Sequence, residues 1–253
     1  MDGELEQQLR ILVGVGLTGL LVLLRLDAFR FGTAEYDDES ASGGWRGASR
    51  RLAWYATGVA LAVAIWYVFP TPVTTLHLGI GTDRAQTLVL GLLFGGLGTL
   101  VAGLYAWLRY RRLRWPEYRH YPGAAANAIG TAFIDEACFR GAILGITLAL
   151  GWPTDLAIAF QAILYGIVTR LGAPGRSRGM LLIALGTGVV AGFLTVWTGG
   201  IGASFVAHSM TRFATFVTTG HAGLVKPPGQ EPEEAFAASQ PPEGWEVVGE
   251  GDR

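Results

Sequence analysis

The sequence predicts an all-α fold: a polytopic membrane helix bundle of about seven transmembrane helices. Three observations carry this. Apolar runs recur along the chain, each near the roughly 20 residues a helix needs to cross hydrocarbon. Charged residues are only 15% of the chain and hydrophobic ones 51%, against roughly 25% charged in a soluble domain. Glycine is abundant, with 37 residues, and small residues let membrane helices approach closely. In hydrocarbon every backbone polar group must pair within its own segment, which leaves helices as the spanning element.

The first ten residues are acidic, and residues 9–26 form an apolar run with no small-residue cleavage pattern. The run is too long for a secretory signal core and reads as a retained first span. Residues 27–51 are polar and rich in Gly and Ser, which predicts a loop. The second span is 52–69, with Trp54, Tyr55, Trp66 and Tyr67 as anchors near its two ends. Pro70 and Pro72 stop it, and 71–84 is a short loop. The third span, 85–108, carries Gly91-x-x-x-Gly95, a close-packing pattern. Arg109, Arg111, Arg112, Arg114 and Arg119 follow. They read as the cytoplasmic flank of a helix rather than a nucleic-acid patch, and a net charge of −1 gives no general attraction to nucleic acid.

The fourth span is 124–150, a tight turn occupies 151–154, and the fifth span is 155–171. A basic loop leads to the sixth span at 180–198, and a Gly-Gly turn leads to the seventh at 199–219. Residues 1–225 thus make one membrane domain. Residues 226–253 are rich in Pro, Glu and Gly and predict a disordered cytoplasmic tail. With the helix-end residues Arg25 and Arg170 counted with their loops, Lys and Arg number five, one, five, none, three and none in successive loops. The positive-inside rule then sets the N-terminus outside and the C-terminus in the cytoplasm of a multi-pass cell-membrane protein. The expected partners are the lipid bilayer and a membrane protein or peptide substrate, with no nucleic acid.

The fourth span organises the rest, because Asp135, Glu136 and Arg140 sit near its middle. A charge at the centre of a membrane helix costs roughly 2.5–3.5 kcal/mol on insertion scales, so intramembrane charges point to a partner or a function. Glu136 and Arg140 are at i and i+4 and share a helix face. Asp135 points about 100° away around the axis. Two adjacent carboxylates cannot both stay ionised cheaply in a dry site. The sequence therefore predicts Glu136 held by Arg140 and Asp135 free to act as general base. His208 and Arg212 form a second i, i+4 pair in the seventh span. His208 can accept a proton, bind metal or donate to an oxyanion. Cys138, the single cysteine, reads as a packing residue. His77, His120 and His221 read as interfacial.

These residues resemble the CPBP intramembrane proteases, a family that includes the CAAX prenyl endopeptidases and bacteriocin-processing or immunity proteins. The resemblance covers about 118–216. The family's Glu-Glu-x-x-x-Arg motif reads Asp135-Glu136-Ala137-Cys138-Phe139-Arg140 here. Its Phe-x-x-x-His motif falls on Tyr165 to Thr169, and its His-x-x-x-Asn motif on His208 to Arg212. The resemblance implies peptide-bond hydrolysis of membrane-associated substrates by carboxylate-activated water. Asp135 would be the base, Glu136 and Arg140 its support, and His208 the oxyanion donor. The chain departs from the pattern at three places. Asp135 is one methylene short, Thr169 cannot act as a base near neutral pH, and Arg212 adds a charge where the family has Asn. Loss of a general base costs about 10² to 10⁴ in rate, so a non-catalytic pseudoprotease acting as a binding or scaffold protein is the alternative. One histidine and two carboxylates are few ligands for a metal, and no cofactor is expected.

Overall fold

The structure is a computed structural model and describes residues 3–31, 44–111, 113, 115–172 and 178–220. The expected tail at 226–253 and His221 lie outside the described residues, as do residues 32–43 of the loop expected at 27–51, while residues 44–51 of that loop are instead the first two turns of a helix. Among the described residues every regular element is helical. The long helices are α1 (Gly3–Leu26), α2 (Gly44–Val68) and α4 (Arg84–Tyr110), with a single turn, α3 (Pro72–Thr75), between the last two. Next comes one continuous helix in three parts: α5 (Tyr121–Asp135), a π-helical stretch (Glu136–Ile143) and α6 (Leu144–Ala149). Helices α7 (Thr154–Leu171), α8 (Arg178–Thr198) and α9 (Gly202–Thr219) complete the bundle.

Five helices, Gly3–Leu26, Arg46–Val68, Arg84–Leu108, Thr154–Leu171 and Leu181–Thr198, are long and apolar enough to cross a membrane. The two other expected spans are also helices, but these carry the interior charges and lie at the centre. From Ile134 to Gly145 the middle helix is buried throughout. α9 runs along α4 and also packs on α5 and α8. The apolar residues point outward instead: Leu88, Val89, Leu92, Leu93, Leu97, Leu100, Val101 and Leu104 of α4 are all exposed. Polar interior with apolar exterior is the arrangement a bilayer demands. Several hydroxyls inside the helices return to their own backbone, as Thr18 does to the Gly14 carbonyl at 2.8 Å and Thr218 to that of Ala214 at 2.8 Å.

The Gly91 pattern meets α9. A Cβ on Gly91 would stand 2.9 Å from the Val206 Cβ and 3.1 Å from the Ala203 carbonyl oxygen, so only glycine lets the two backbones approach this closely. The chain between α3 and α4 lies over the start of α9. The Ile201 amide donates to the His77 and Gly79 carbonyls at 3.1 and 3.0 Å, and the Gly202 amide to Ile80 at 3.1 Å. These bonds satisfy amides that a helix start leaves without intrahelical partners. The same loop presses on α6, where a Cβ on Gly145 would stand 2.5 Å from the Leu76 Cα.

One expectation about anchors is corrected. Trp66 and Tyr67 are exposed, as an interface position requires. Trp54, by contrast, is fully buried, and its indole N–H donates to the Leu24 carbonyl at 3.0 Å. Tyr55 points inward beside it and accepts from the Asn127 amide at 2.8 Å. A ring carrying one polar atom serves an interior as well as an interface when a partner is within reach.

Candidate functional site

The π-helical stretch begins at Glu136, one residue after Asp135. Such stretches recur at functional sites because the widened turn redirects side chains. Here Asp135, Glu136 and Arg140 are all 0% exposed. The two carboxylates turn to different neighbours.

Asp135 faces α1. Its Oδ1 accepts from the Arg25 Nε at 2.5 Å and its Oδ2 from the Arg25 Nη2 at 3.4 Å, a two-point pair with both partners buried. Asp135 is therefore not the free carboxylate the sequence suggested. The sequence counted Arg25 as a loop charge, whereas the bundle buries it to 1% exposure. Its signal was an arginine inside the last turn of an apolar helix, facing a span with one carboxylate too many.

Glu136 faces α9 and its own helix. Its Oε1 accepts from the His208 Nδ1 at 2.8 Å and lies 3.2 Å from the Arg140 Nη1. The arginine contact has salt-bridge distance without hydrogen-bond direction, since none of the three Arg140 nitrogens has a hydrogen-bond partner among the described residues. Arg140 instead stacks over the Tyr165 ring, 4.2 Å from its centroid, an arrangement worth more in a dry site than at a surface. A carboxylate only accepts, so the His208 proton is on Nδ1 and its Nε2 accepts from the Tyr165 hydroxyl at 3.3 Å. Thr169, one turn beyond Tyr165, is 3% exposed, and its hydroxyl has no partner among the described residues.

Arg212 lies one turn from His208 on α9 and is 8% exposed. Its Nη2 donates to the Asn127 Oδ1 at 3.3 Å. Asn127 and Tyr55 are interior polar residues that the sequence reading passed over. Cys138 is fully buried in the apolar core beside Phe139 and Tyr165.

His208 also lines a cavity of about 340 Å³ between α4, α8 and α9. Its other walls are almost wholly apolar, including Phe94, Leu97, Val190 and Leu194. Among the described residues no three His, Cys, Asp or Glu side chains gather to hold a metal. Both carboxylates here are met by cations or by His208, so the donor set does not fit a metal.

Residues 117–214 match the family model described as type II CAAX prenyl endopeptidase Rce1-like. This stretch is similar to Rce1-like domains, which is consistent with the CPBP family. The protein is thus a multi-pass integral membrane protein with a CAAX protease-like domain. No curated protein and no solved structure matches the chain. The Rce1-like domain runs from the turn before α5 to the last third of α9, close to the bounds its motifs suggested. It contains Asp135, Glu136, Arg140, Tyr165, Thr169, His208 and Arg212. Arg25 and Tyr55 come from helices outside it.

Proposed function

We propose that the protein is an intramembrane endopeptidase in which His208 is the general base and Glu136 positions it. One observation carries this reading: His208, joined to Glu136 at 2.8 Å, lines an apolar cavity between α4, α8 and α9. A carboxylate on Nδ1 fixes the imidazole tautomer and orientation and leaves Nε2 to take a proton from water. The Tyr165 hydroxyl, 3.3 Å from Nε2, is released when Nε2 takes the proton and then donates to the oxyanion that the attack creates. Arg140 and Arg25 hold the carboxylates, and Asp135 serves as the anchor for α1 rather than as base. The substrate class is a membrane-associated peptide, whose apolar segment fits the cavity walls. The arginine distribution supports an N-terminus outside and a C-terminus in the cytoplasm, and the net charge of −1 supports a function without nucleic acid.

The bidentate hold on Asp135 and the threonine at position 169 favour a second reading, a binding protein that cuts nothing. The test is a cell-based comparison that reads membrane-protein cleavage products by mass spectrometry, with accumulation of each variant checked. His208→Gln is expected to lower product by 10² or more, the usual loss for a general base. The double variant Arg25→Gln/Asp135→Asn, which removes the ion pair as a unit, is expected to retain cleavage. If wild type and His208→Gln give identical products, the binding reading replaces this one. If the double variant alone loses cleavage, Asp135 is the base.

A further inference from the structure

The ends of α1, α7 and α9 and the first halves of α2 and α5 meet at one end of the bundle. Trp54 of α2 bonds the Leu24 carbonyl near the end of α1. A Cβ on Gly172, just past α7, would stand 2.6 Å from the Arg25 carbonyl oxygen. Tyr55 of α2 bonds Asn127 of α5. Tyr121, which opens α5, packs edge-on against Phe213 and Phe216 in the last two turns of α9. The sequence at this end is basic. Residues 26–51, 109–120 and 170–178 hold twelve arginines against six carboxylates. The opposite end holds Arg10 and Arg84 against five carboxylates. Beyond α9 the sign reverses: residues 221–253 hold seven carboxylates against Lys226 and Arg253. An excess of six positive charges thus stands beside a segment with an excess of five negative ones.

We propose that residues 231–250 dock on the basic and aromatic face between α4 and α5, with its arginines meeting the glutamates of that segment. The face is open to receive them. Arg111 is exposed at the end of α4, and Trp115 and Tyr118 are 68% and 86% exposed. Arg119 is exposed too, and its Nε lies 2.7 Å from Glu117 Oε2, a surface pair that holds little against a second carboxylate. The guanidinium fork suits a carboxylate, and Trp115 and Tyr118 offer rings to Phe236 and Trp245. Position favours this occupant. α9 stops at Gly220, one turn past Phe216, and Phe216 packs on Tyr121, the residue that follows the Tyr118–His120 turn. Eleven residues lead from Gly220 to Glu231, a mean reach of about 18 Å for a coil. Tethering at that range sets a local concentration of order millimolar, so weak surface pairs suffice. Docking cuts no bond, and it stands or falls separately from hydrolysis.

Anionic lipid headgroups carry the same sign of charge and are the competing occupant. The full chain, with photoreactive p-benzoylphenylalanine in place of Trp115, is irradiated in nanodiscs of phosphatidylcholine containing phosphatidylglycerol, and adducts are read by mass spectrometry. Adducts to residues 231–250 of the same chain are expected. Raising NaCl from about 0.1 M to about 1 M shortens the screening length from about 10 Å to about 3 Å and should cut their yield about fivefold. Replacing Glu231, Glu233, Glu234, Glu243, Glu246 and Glu250 with Gln should do the same. The probe at Tyr67, exposed at the opposite end, should give no tail adduct. If the Trp115 form does not accumulate, Tyr118 takes the probe. Adducts to phosphatidylglycerol without tail adducts, or no adduct at all, overturn the proposal. So do equal tail adducts from Tyr67, a yield that ignores both salt and the Gln variant, and adducts that join two chains.

Discussion

Arg25 and Asp135 are 110 positions apart and touch through two hydrogen bonds. Removing one member of a buried pair leaves the other as an uncompensated charge, a loss of about 3–5 kcal/mol. Arg25→Met is therefore expected to reduce stability by that amount in a detergent melting series. Arg25→Met combined with Asp135→Leu should recover most of it, because the isolated charge disappears with its partner. At this scale the sequence was informative about which residues lie inside and silent about which of them meet. Asp135, Glu136, Arg140, His208 and Arg212 stand out as charges or a histidine within apolar runs. Nothing in the spacing ties Arg25 to Asp135, since helical periodicity relates residues a turn apart and not those in different helices. Trp54 was misread for a related reason: an aromatic near a span end fits an interface anchor and an interior donor equally well until its partner carbonyl is known.

Among the elements, the seven apolar runs correspond to helices, because length and composition decide what can lie in hydrocarbon, but α1 and α2 begin six and eight residues before the expected 9 and 52, in polar sequence. The π-helical stretch Glu136–Ile143 was not legible, because a slip in the hydrogen-bond ladder depends on what packs around it. The loop between α3 and α4 is equally tertiary in origin. His77 sits there with φ 51, and burial, only partly offset by a hydrogen bond with the Gly199 backbone, holds its imidazole below the ordinary value. The packed loop thus keeps His77 neutral, while the opened loop takes up a proton near the usual pKa of about 6.5. Opening binds the extra proton, so the closed form weakens as pH falls through that value and is unaffected above it. Amide exchange at Ile201 and Gly202, corrected for intrinsic rates, should accelerate between about pH 7.5 and 5.5. His77→Asn, which tolerates the left-handed φ, should flatten that dependence.

For the whole molecule, the distribution of arginines predicts which side faces the cytoplasm. With Cys138 replaced by Ser, single cysteines at Thr74 and Ser49, both exposed, report on opposite ends of the bundle. A membrane-impermeant maleimide should label Thr74→Cys in intact cells and Ser49→Cys only after permeabilisation. The reverse pattern inverts the topology. The helical plan was legible because a bilayer leaves few choices: apolar spans outside and polar spans inside.

The hold of Arg25 on Asp135 has a bearing on where this protein may be divided. The region that resembles its family begins at residue 117, and a gene fragment drawn to that boundary would look complete on paper. It would carry Asp135 into the lipid with the counter-ion left behind on α1. The smallest piece able to fold by itself is thus set by charge balance rather than by recognisable ancestry, and it includes the first helix. Supplying α1 as a separate peptide should rescue the truncated bundle, and the same peptide carrying Arg25→Met should not.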